Sequence, residues 1–202
     1  MANNVALDKV FQTVASALNS NKEKLNQADT YNQDHGDHMV EIFEVITQAM
    51  QEKKGAEPAD QLAYASDLLR QRSQSGSAKM YAQNLQQAAS RFKGQQITSD
   101  NGLQLIESLL GTQTDTQQQA GGGLGSLLGG LLGGANQDQS GLGADDLLSA
   151  GMAFLSSKQQ GDSNMEAILD AVVKTSSAGQ SEHRAQSGSI VANTLLQALL
   201  NK

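Results

Sequence analysis

The sequence contains a single proline, Pro58, in 202 residues, and it contains no cysteine or tryptophan. Because proline interrupts the interior of a helix, a chain with one proline accommodates long helices, and Pro58 itself fits the first turn of a helix. Aromatic residues, which together with β-branched residues favour strands, make up only 3% of the chain. Without cysteine, disulfides, thiolate metal ligands and a cysteine nucleophile are excluded. The composition therefore favours an all-α fold.

Apolar residues recur every three or four positions in several stretches, which is the spacing of one helix face. We find no stretch with the alternation of a strand, and Gly55, Gly94 and Gly111 follow three of these stretches as helix stops. The sequence therefore predicts a bundle of seven to eight antiparallel helices. The apolar series are Leu7–Leu18, Met39–Met50, Leu62–Leu69, Tyr81–Phe92, Leu103–Leu110, Leu148–Leu155, Met165–Val172, and a last one that starts at Ile190 or Val191 and continues to Leu199.

The charge of the chain limits its partners and its location. The formal net charge is −7, which repels phosphate backbones, so we expect no nucleic-acid binding. The sequence shows no basic segment followed by an apolar one that would mark a secretory signal. The longest apolar patch, Leu124–Leu132, is interrupted by glycine and is shorter than the ~20 residues that a membrane span needs. We expect a cytoplasmic protein without a transmembrane segment.

The polar segment Asn26–Met39 contains three Asp, two His and Gly36 ahead of a predicted helix. Carboxylate oxygens suit Mg²⁺ or Ca²⁺, imidazole suits Zn²⁺ or iron, and a helix N-terminus favours an anion such as phosphate. The alternative is a solvated loop whose Asp residues cap the helix that follows. Spacing alone favours the capping interpretation, since the segment matches no standard metal motif.

A second polar segment, Ser73–Lys79, precedes Met80 and Tyr81. Its small residues would let backbone amides approach a phosphate. The same residues are also the ones that form turns and helix caps. Alone, this segment does not distinguish the two interpretations.

Taken in order, these two segments resemble the nucleotide-binding domain of dihydroxyacetone kinases, the L-subunit type. The first family loop contains Gly-Asp-Gly-Asp-His-Gly-x-Asn-Met, which the end of Leu25–Met39 resembles. The second family loop reads Gly-Gly-Ala-Ser-Gly-Pro-Leu-Tyr-Gly, and Gln74–Ala82 matches it while keeping Ser77 and Tyr81. Residues 150–171 and Arg184 with the last predicted helix occupy the places of later family motifs. The resemblance covers nearly the whole chain except about residues 112–143.

The resemblance implies one domain over residues 1–202, built as an eight-helix up-and-down barrel. In the family, three Asp hold two Mg²⁺ ions that bridge the phosphates of ADP or ATP. Asp34 matches the third of these, Asn32 the second, and the first falls on Asp29, or on Gln27 if no gap is placed. The residues that match nucleotide-contacting positions are His35, Gly36, His38, Ser75, Gly76, Ser77 and Arg184.

Departures from the family pattern bear on the function that the resemblance implies. Asn32 lacks the charge of Asp, which weakens divalent binding, and Gln74, Ser75 and Ala78 replace glycines that let backbone approach a phosphate. We therefore predict a divergent member that is not a competent kinase on its own, with weakened or lost Mg-ADP or Mg-ATP binding. If active, it would be a phosphotransferase subunit that acts with a separate substrate-binding kinase subunit in trans. A further alternative is a helical barrel that holds a lipid or another apolar ligand, or serves as a scaffold.

Residues 111–143 hold eleven of the 20 glycines, and about residues 112–143 form an insertion relative to the family. Three interpretations compete for its repeated Gly-Gly-Leu and Leu-Leu-Gly-Gly units. It is a flexible linker or mobile lid, a glycine-rich helix that closes the barrel mouth, or a membrane-contacting segment. We favour the linker or lid, because glycine disfavours helix by about 1 kcal/mol per residue.

Overall fold

The computed structural model of the chain describes residues 5–99, 101–112, 169–170 and 172–200. No β-strand occurs within these ranges, where the one bridge joins Thr112 to Ser176. The prediction of an all-α fold is therefore confirmed. The helices are α1 Leu7–Ser20, α2 Lys22–Ala28, α3 His35–Glu52, α4 Pro58–Arg72, α5 Gly76–Arg91, α6 Gly102–Leu110 and α7 Glu182–Leu200, and residues 169–170 and 172–175 are also helical.

Helix packing closes into a ring. Helix α1 packs on α3, α3 on α4, α4 on α5, α5 on α6, α6 on α7, and α7 returns to α1. The parts of the chain before residue 113 and after residue 168 therefore belong to one packed unit. The short helix α2 lies mainly against α3. This arrangement agrees with the predicted helical bundle and brings the start of α7 to the same unit as the first polar segments.

The predicted apolar faces form the core of the ring. Phe11 on α1, Phe43 on α3 and Tyr81 on α5 are each at most 1% exposed, and their rings stack in series at centroid distances of 6.3 and 5.2 Å. Burying a side chain of this size contributes roughly 1.5–3 kcal/mol. On α7, where the sequence left two residues open, Val191 is the fully buried one. These contacts fix the positions of α3, α5 and α7 around the candidate site.

Helix boundaries follow the predicted signals at several ends. Pro58 occupies the first turn of α4. Gly55 and Gly94 lie shortly after α3 and α5 with positive φ angles, and Gly111 caps α6 at φ 73°. The left-handed conformation of Gly111 lets its amide bond the Glu107 carbonyl at 3.1 Å. The three predicted helix stops are confirmed.

Two predicted loops are shorter than expected because helices occupy part of them. Helix α2 takes up the first three residues of the first polar segment, and no apolar series marks this helix because only its Leu25 is buried. Helix α3 begins at His35 rather than near Met39, so His35, Gly36 and His38 lie in a helical first turn. Likewise α5 begins at Gly76, which places Ser77 inside the helix. The loops were predicted too long. The capping interpretation is confirmed at α5, where the Ser75 side chain caps the helix, but Asp34, the residue before α3, makes no side-chain capping hydrogen bond.

Several predictions fall outside the described residues. These are the glycine-rich insertion beyond Thr112, the helix over Leu148–Leu155 and most of the helix over Met165–Val172. Within the described ranges, none of the helices combines the length and the apolar character that crossing a membrane requires.

Candidate functional site

The start of α3 is capped by a side chain from α2. Asn26 Oδ1 accepts hydrogen bonds from the amides of Gly36 at 2.7 Å and Asp37 at 3.2 Å. Asn26 Nδ2 donates to Asp37 Oδ2 at 2.8 Å, and Lys22 Nζ lies 3.1 Å from the other oxygen of Asp37. These hydrogen bonds, that of Asn26 first, hold the pKa of Asp37 below its usual range. Asn26 on α2 therefore accepts the first-turn amides of α3, a role that the residue directly before a helix usually plays.

Removing this cap tests how α2 is held on α3. We expect Asn26→Ala to lower the free energy of unfolding by about 1–2 kcal/mol, because two first-turn amides lose their acceptor. The measurement is urea unfolding at pH 7. Gln27→Ala is the matched control, since Gln27 is an exposed neighbour on the same helix. Equal losses for the two variants would contradict the capping role.

The three residues predicted to hold Mg²⁺ lie in the loop between α2 and α3. Asp29 is 4% exposed, and its Oδ1 accepts the amide of Tyr31 at 3.0 Å, which lowers the pKa of Asp29. Asp34 accepts Asn32 Nδ2 at 2.8 Å and lies 3.2 Å from His38 Nδ1. Gln27, the alternative to Asp29, is exposed on α2.

The fit of this set to Mg²⁺ depends on which oxygens are free. Within the described ranges, no group of three or more His, Cys, Asp or Glu is placed to hold a metal ion. Asn32 presents its N–H to Asp34, and both carboxylates already accept hydrogen bonds from the protein. These hydrogen bonds leave lone pairs on both carboxylates, but the set supplies two formal negative charges instead of three because Asn32 is neutral. The present arrangement does not fit a pair of Mg²⁺ ions, and the magnesium site stays a prediction.

The start of α5 is an uncompensated positive helix end. Ser75 caps it by accepting the Ala78 amide at 3.1 Å, while the amides of Gly76 and Ser77 make no hydrogen bond within the described residues. Its first turn has no acidic residue, as is also true of α6, whereas α1, α2, α3, α4 and α7 each have one there. The free amides and the helix dipole make such an end attractive to an anion.

Arg184 on α7 lies directly against this helix end. A Cβ built on Gly76 would be 2.9 Å from Arg184 Nη2, so the guanidinium occupies the space that a side chain would need. The described part of the chain offers this guanidinium no hydrogen bond and no acidic partner. The structure thus brings together Gly76 and Arg184, two residues that the sequence assigned to the same ligand from opposite parts of the chain.

A second basic contact joins the start of α3 to α7. His35 Nε2 lies 2.9 Å from Ser187 Oγ, and Ser187 Oγ donates to the Arg184 carbonyl at 3.0 Å. With the hydroxyl proton on that carbonyl, the Ser187 oxygen is free to accept from the Nε2–H tautomer of His35. The ring of His183 meets the His35 ring edge-on at 4.7 Å.

Charged groups of both signs act on His35. Burial lowers the pKa of His35 to about 4, and the charges of His183 and Arg184 act in the same direction. Asp29 is the acidic group that opposes them. His35 is therefore neutral at physiological pH, and the cationic character of the site comes from Arg184.

The predicted site residues fall into two groups. Asp29, His35, Gly76 and Arg184 act on one another at one end of the ring. The second group lies toward solvent at the mouth of the loop, where Asn32 is exposed and the side chains of Asp34 and His38 are 41% and 36% exposed.

Sequence reasoning missed two residues of this end. Ser187, which pairs with His35, lies 152 residues away along the chain, and no sequence signal links the two. Tyr81 was assigned to the core by its helical spacing, although its hydroxyl is buried without a partner among the described residues. Its hydroxyl, in a series otherwise made of the apolar residues Leu85, Ala88 and Phe92, is the signal that could have identified it.

Comparisons with family models, with curated proteins and with solved structures found no match to this chain.

Proposed function

We propose that this chain is a binding module for a phosphate-bearing ligand such as ADP, and that it does not transfer phosphoryl groups on its own. In this proposal it is a divergent relative of the L-subunit-type domain of dihydroxyacetone kinases. Its ligand phosphates are held by Arg184 and the first amides of α5, not by Mg²⁺. The observation that carries the proposal is the Arg184 guanidinium placed against Gly76.

The charge balance at this helix end supports an anionic ligand. A guanidinium beside the positive end of a helix is unfavourable unless a negative group compensates both. The first turn of α5 supplies no such group. A phosphate placed between Arg184 and the amides of Gly76 and Ser77 would accept bidentate hydrogen bonds from the guanidinium and satisfy the free amides.

The acidic loop argues against phosphoryl transfer. Enzymes of this chemistry use metal ions to bridge phosphates and to neutralise charge that develops in the transition state. Here Asp29 and Asp34 accept hydrogen bonds from the protein, and the residue between them in the family pattern is the neutral Asn32. We therefore expect binding without catalysis.

The test is isothermal titration of the full chain with ADP, once with excess EDTA and once with MgCl₂. We expect binding in both buffers with similar affinity, and a loss of about tenfold or more in Arg184→Gln because charge-assisted hydrogen bonds disappear. Arg70→Gln is the matched control, since Arg70 pairs with Asp67 on the exposed surface of α4. This control should bind ADP as the wild type does.

Two outcomes would contradict the proposal. The absence of heat at millimolar ADP would remove nucleotide binding altogether. Binding that requires Mg²⁺ and is lost in Asp34→Ala would instead support the alternative of a phosphotransferase subunit with a functional metal site.

A further inference from the structure

The hydroxyl of Tyr81 is a buried polar group without a hydrogen-bond partner among the described residues. Tyr81 lies on α5, one turn after its start, and is 1% exposed. Its ring packs edge-on against Phe43 at a centroid distance of 5.2 Å. The hydroxyl oxygen is inaccessible to solvent and has no hydrogen-bond partner among the described residues. The ring is explained by the core, but the hydroxyl is not.

Two other hydroxyl groups in this bundle, unlike that of Tyr81, have hydrogen-bond acceptors among the described residues. Ser66 Oγ, fully buried on α4, donates to the Ala82 carbonyl at 2.6 Å, and Tyr64 donates its hydroxyl to Glu52 on the surface. A buried hydroxyl without such a partner costs roughly 1–3 kcal/mol, which a phenylalanine would avoid. A tyrosine at this position is therefore accounted for if a group beyond the described residues, such as a bound ligand, receives the hydrogen bond.

Tyr81 lies five residues after Gly76 on α5, the helix whose start meets Arg184. Burial raises the pKa of the phenol well above its ordinary value, and the positive charge of Arg184 opposes that rise. The phenol therefore stays protonated at physiological pH and acts as a hydrogen-bond donor without repelling an anion. Arg184 also lies against Gly76, so it connects the phenol with the free amides at the start of α5.

We propose that Tyr81 is a ligand-binding residue whose hydroxyl donates a hydrogen bond to a phosphate oxygen held by Arg184. This inference rests on the proposed function and adds to it a specificity element. A guanidinium binds anions of many kinds, whereas a buried phenol adds one hydrogen-bond donor with a fixed direction on the core side. The pair selects a terminal group with several acceptor oxygens, such as the phosphate of a nucleotide or free phosphate.

The experiment compares Tyr81→Phe with wild type, using Tyr64→Phe as the matched control. Each protein is titrated calorimetrically with ADP and with inorganic phosphate, and each is unfolded in urea without ligand. We expect Tyr81→Phe to bind both ligands about tenfold more weakly, because a hydrogen bond to a charged oxygen is lost. Its ligand-free stability should be equal to or greater than that of the wild type, because the unpaired buried group is gone. Tyr64→Phe should bind both ligands as the wild type does.

The outcomes separate this inference from the proposed function. If the wild type binds and Tyr81→Phe binds equally well, the role of Tyr81 is overturned and the proposed function stands. If Tyr81→Phe loses stability without ligand, the hydroxyl has a structural partner, and the inference also fails. Weakened ADP binding with unchanged phosphate binding would overturn the assignment to a phosphate oxygen. Failure of the wild type to bind either ligand would overturn both proposals.

Discussion

Gly36→Ala is expected to destabilise the protein by about 2–3 kcal/mol, whereas Gly76→Ala is expected to leave its stability nearly unchanged. A Cβ at Gly36 would overlap the carbonyl oxygen of Lys22 and lie 2.8 Å from Asn26 Oδ1. The carbonyl belongs to the backbone of α2, so the two helices would have to separate and the cap on α3 would be lost.

Position 76 is the informative comparison because both glycines lie in the first turn of a helix. The Cβ of Gly76→Ala would meet only the end of the Arg184 side chain, which can rotate away. The small preference of helices for alanine further offsets this contact. Gly76→Ala should instead weaken ADP binding, because the new methyl group displaces the guanidinium from the α5 amides.

Urea unfolding and ADP titration of both variants check these expectations. If Gly36→Ala unfolds at the same midpoint urea concentration as the wild type, then α2 does not approach α3 as closely as described. A loss of stability in Gly76→Ala comparable to that of Gly36→Ala would contradict the placement of Arg184.

Lowering the pH from 7 to 5 is expected to destabilise the protein by roughly 2 kcal/mol through His35. The folded chain holds the pKa of His35 at about 4, while the unfolded chain restores it to 6.5. Between these values the unfolded state binds more protons, so stability is present above the unfolded pKa and decreases as the pH falls. The groups that face His35 are His183, Arg184 and His38, which disfavour its proton, and Asp29, which favours it.

The measurement is urea unfolding of wild type and His35→Gln at several pH values between 4.5 and 7.5. Glutamine keeps a donor for Ser187 but has no titratable ring. The free energy of unfolding of His35→Gln should therefore fall less between pH 7 and pH 5 than that of the wild type, by the amount assigned to His35. His38→Gln is the control, because it alters a histidine of the same helix whose side chain is 36% exposed. Parallel pH profiles for wild type and His35→Gln would contradict the assignment.

The helices of this ring could be predicted where packing leaves a periodic trace in the sequence. On α1 and on α3, apolar residues recur every three or four positions, and every residue of these two apolar series is buried. Helix α2 escaped prediction because it buries only Leu25 and depends on α3 for its stability. A helix held by one apolar residue and one side-chain cap has no period to detect.

The candidate site could be predicted only in part, and for a physical reason. Local patterns pointed to the first turn of α3 and the start of α5, since polar and small residues concentrate there. The pairing of His35 with Ser187 and the contact of Arg184 with Gly76 depend on ring closure, which no local pattern encodes. That the Tyr81 hydroxyl has no partner among the described residues likewise becomes visible only in the packed core. The position of Tyr81 in the apolar series predicts only that its side chain is buried.

Ring closure by α7 has a thermodynamic consequence for the proposed ligand. Helix α7 contacts both α1 and α6, so it completes the ring across a long sequence separation and bears much of the entropy of loop closure. Arg184 and Ser187 belong to this same helix, so a ligand held by Arg184 binds only the closed ring. By mass action, such a ligand raises the stability of the whole unit with the logarithm of its concentration above Kd, by about 1.4 kcal/mol for each tenfold increase. Ligand binding by Arg184 would thus slow hydrogen exchange at those amides of α1 and α6 that exchange only when the ring of helices opens.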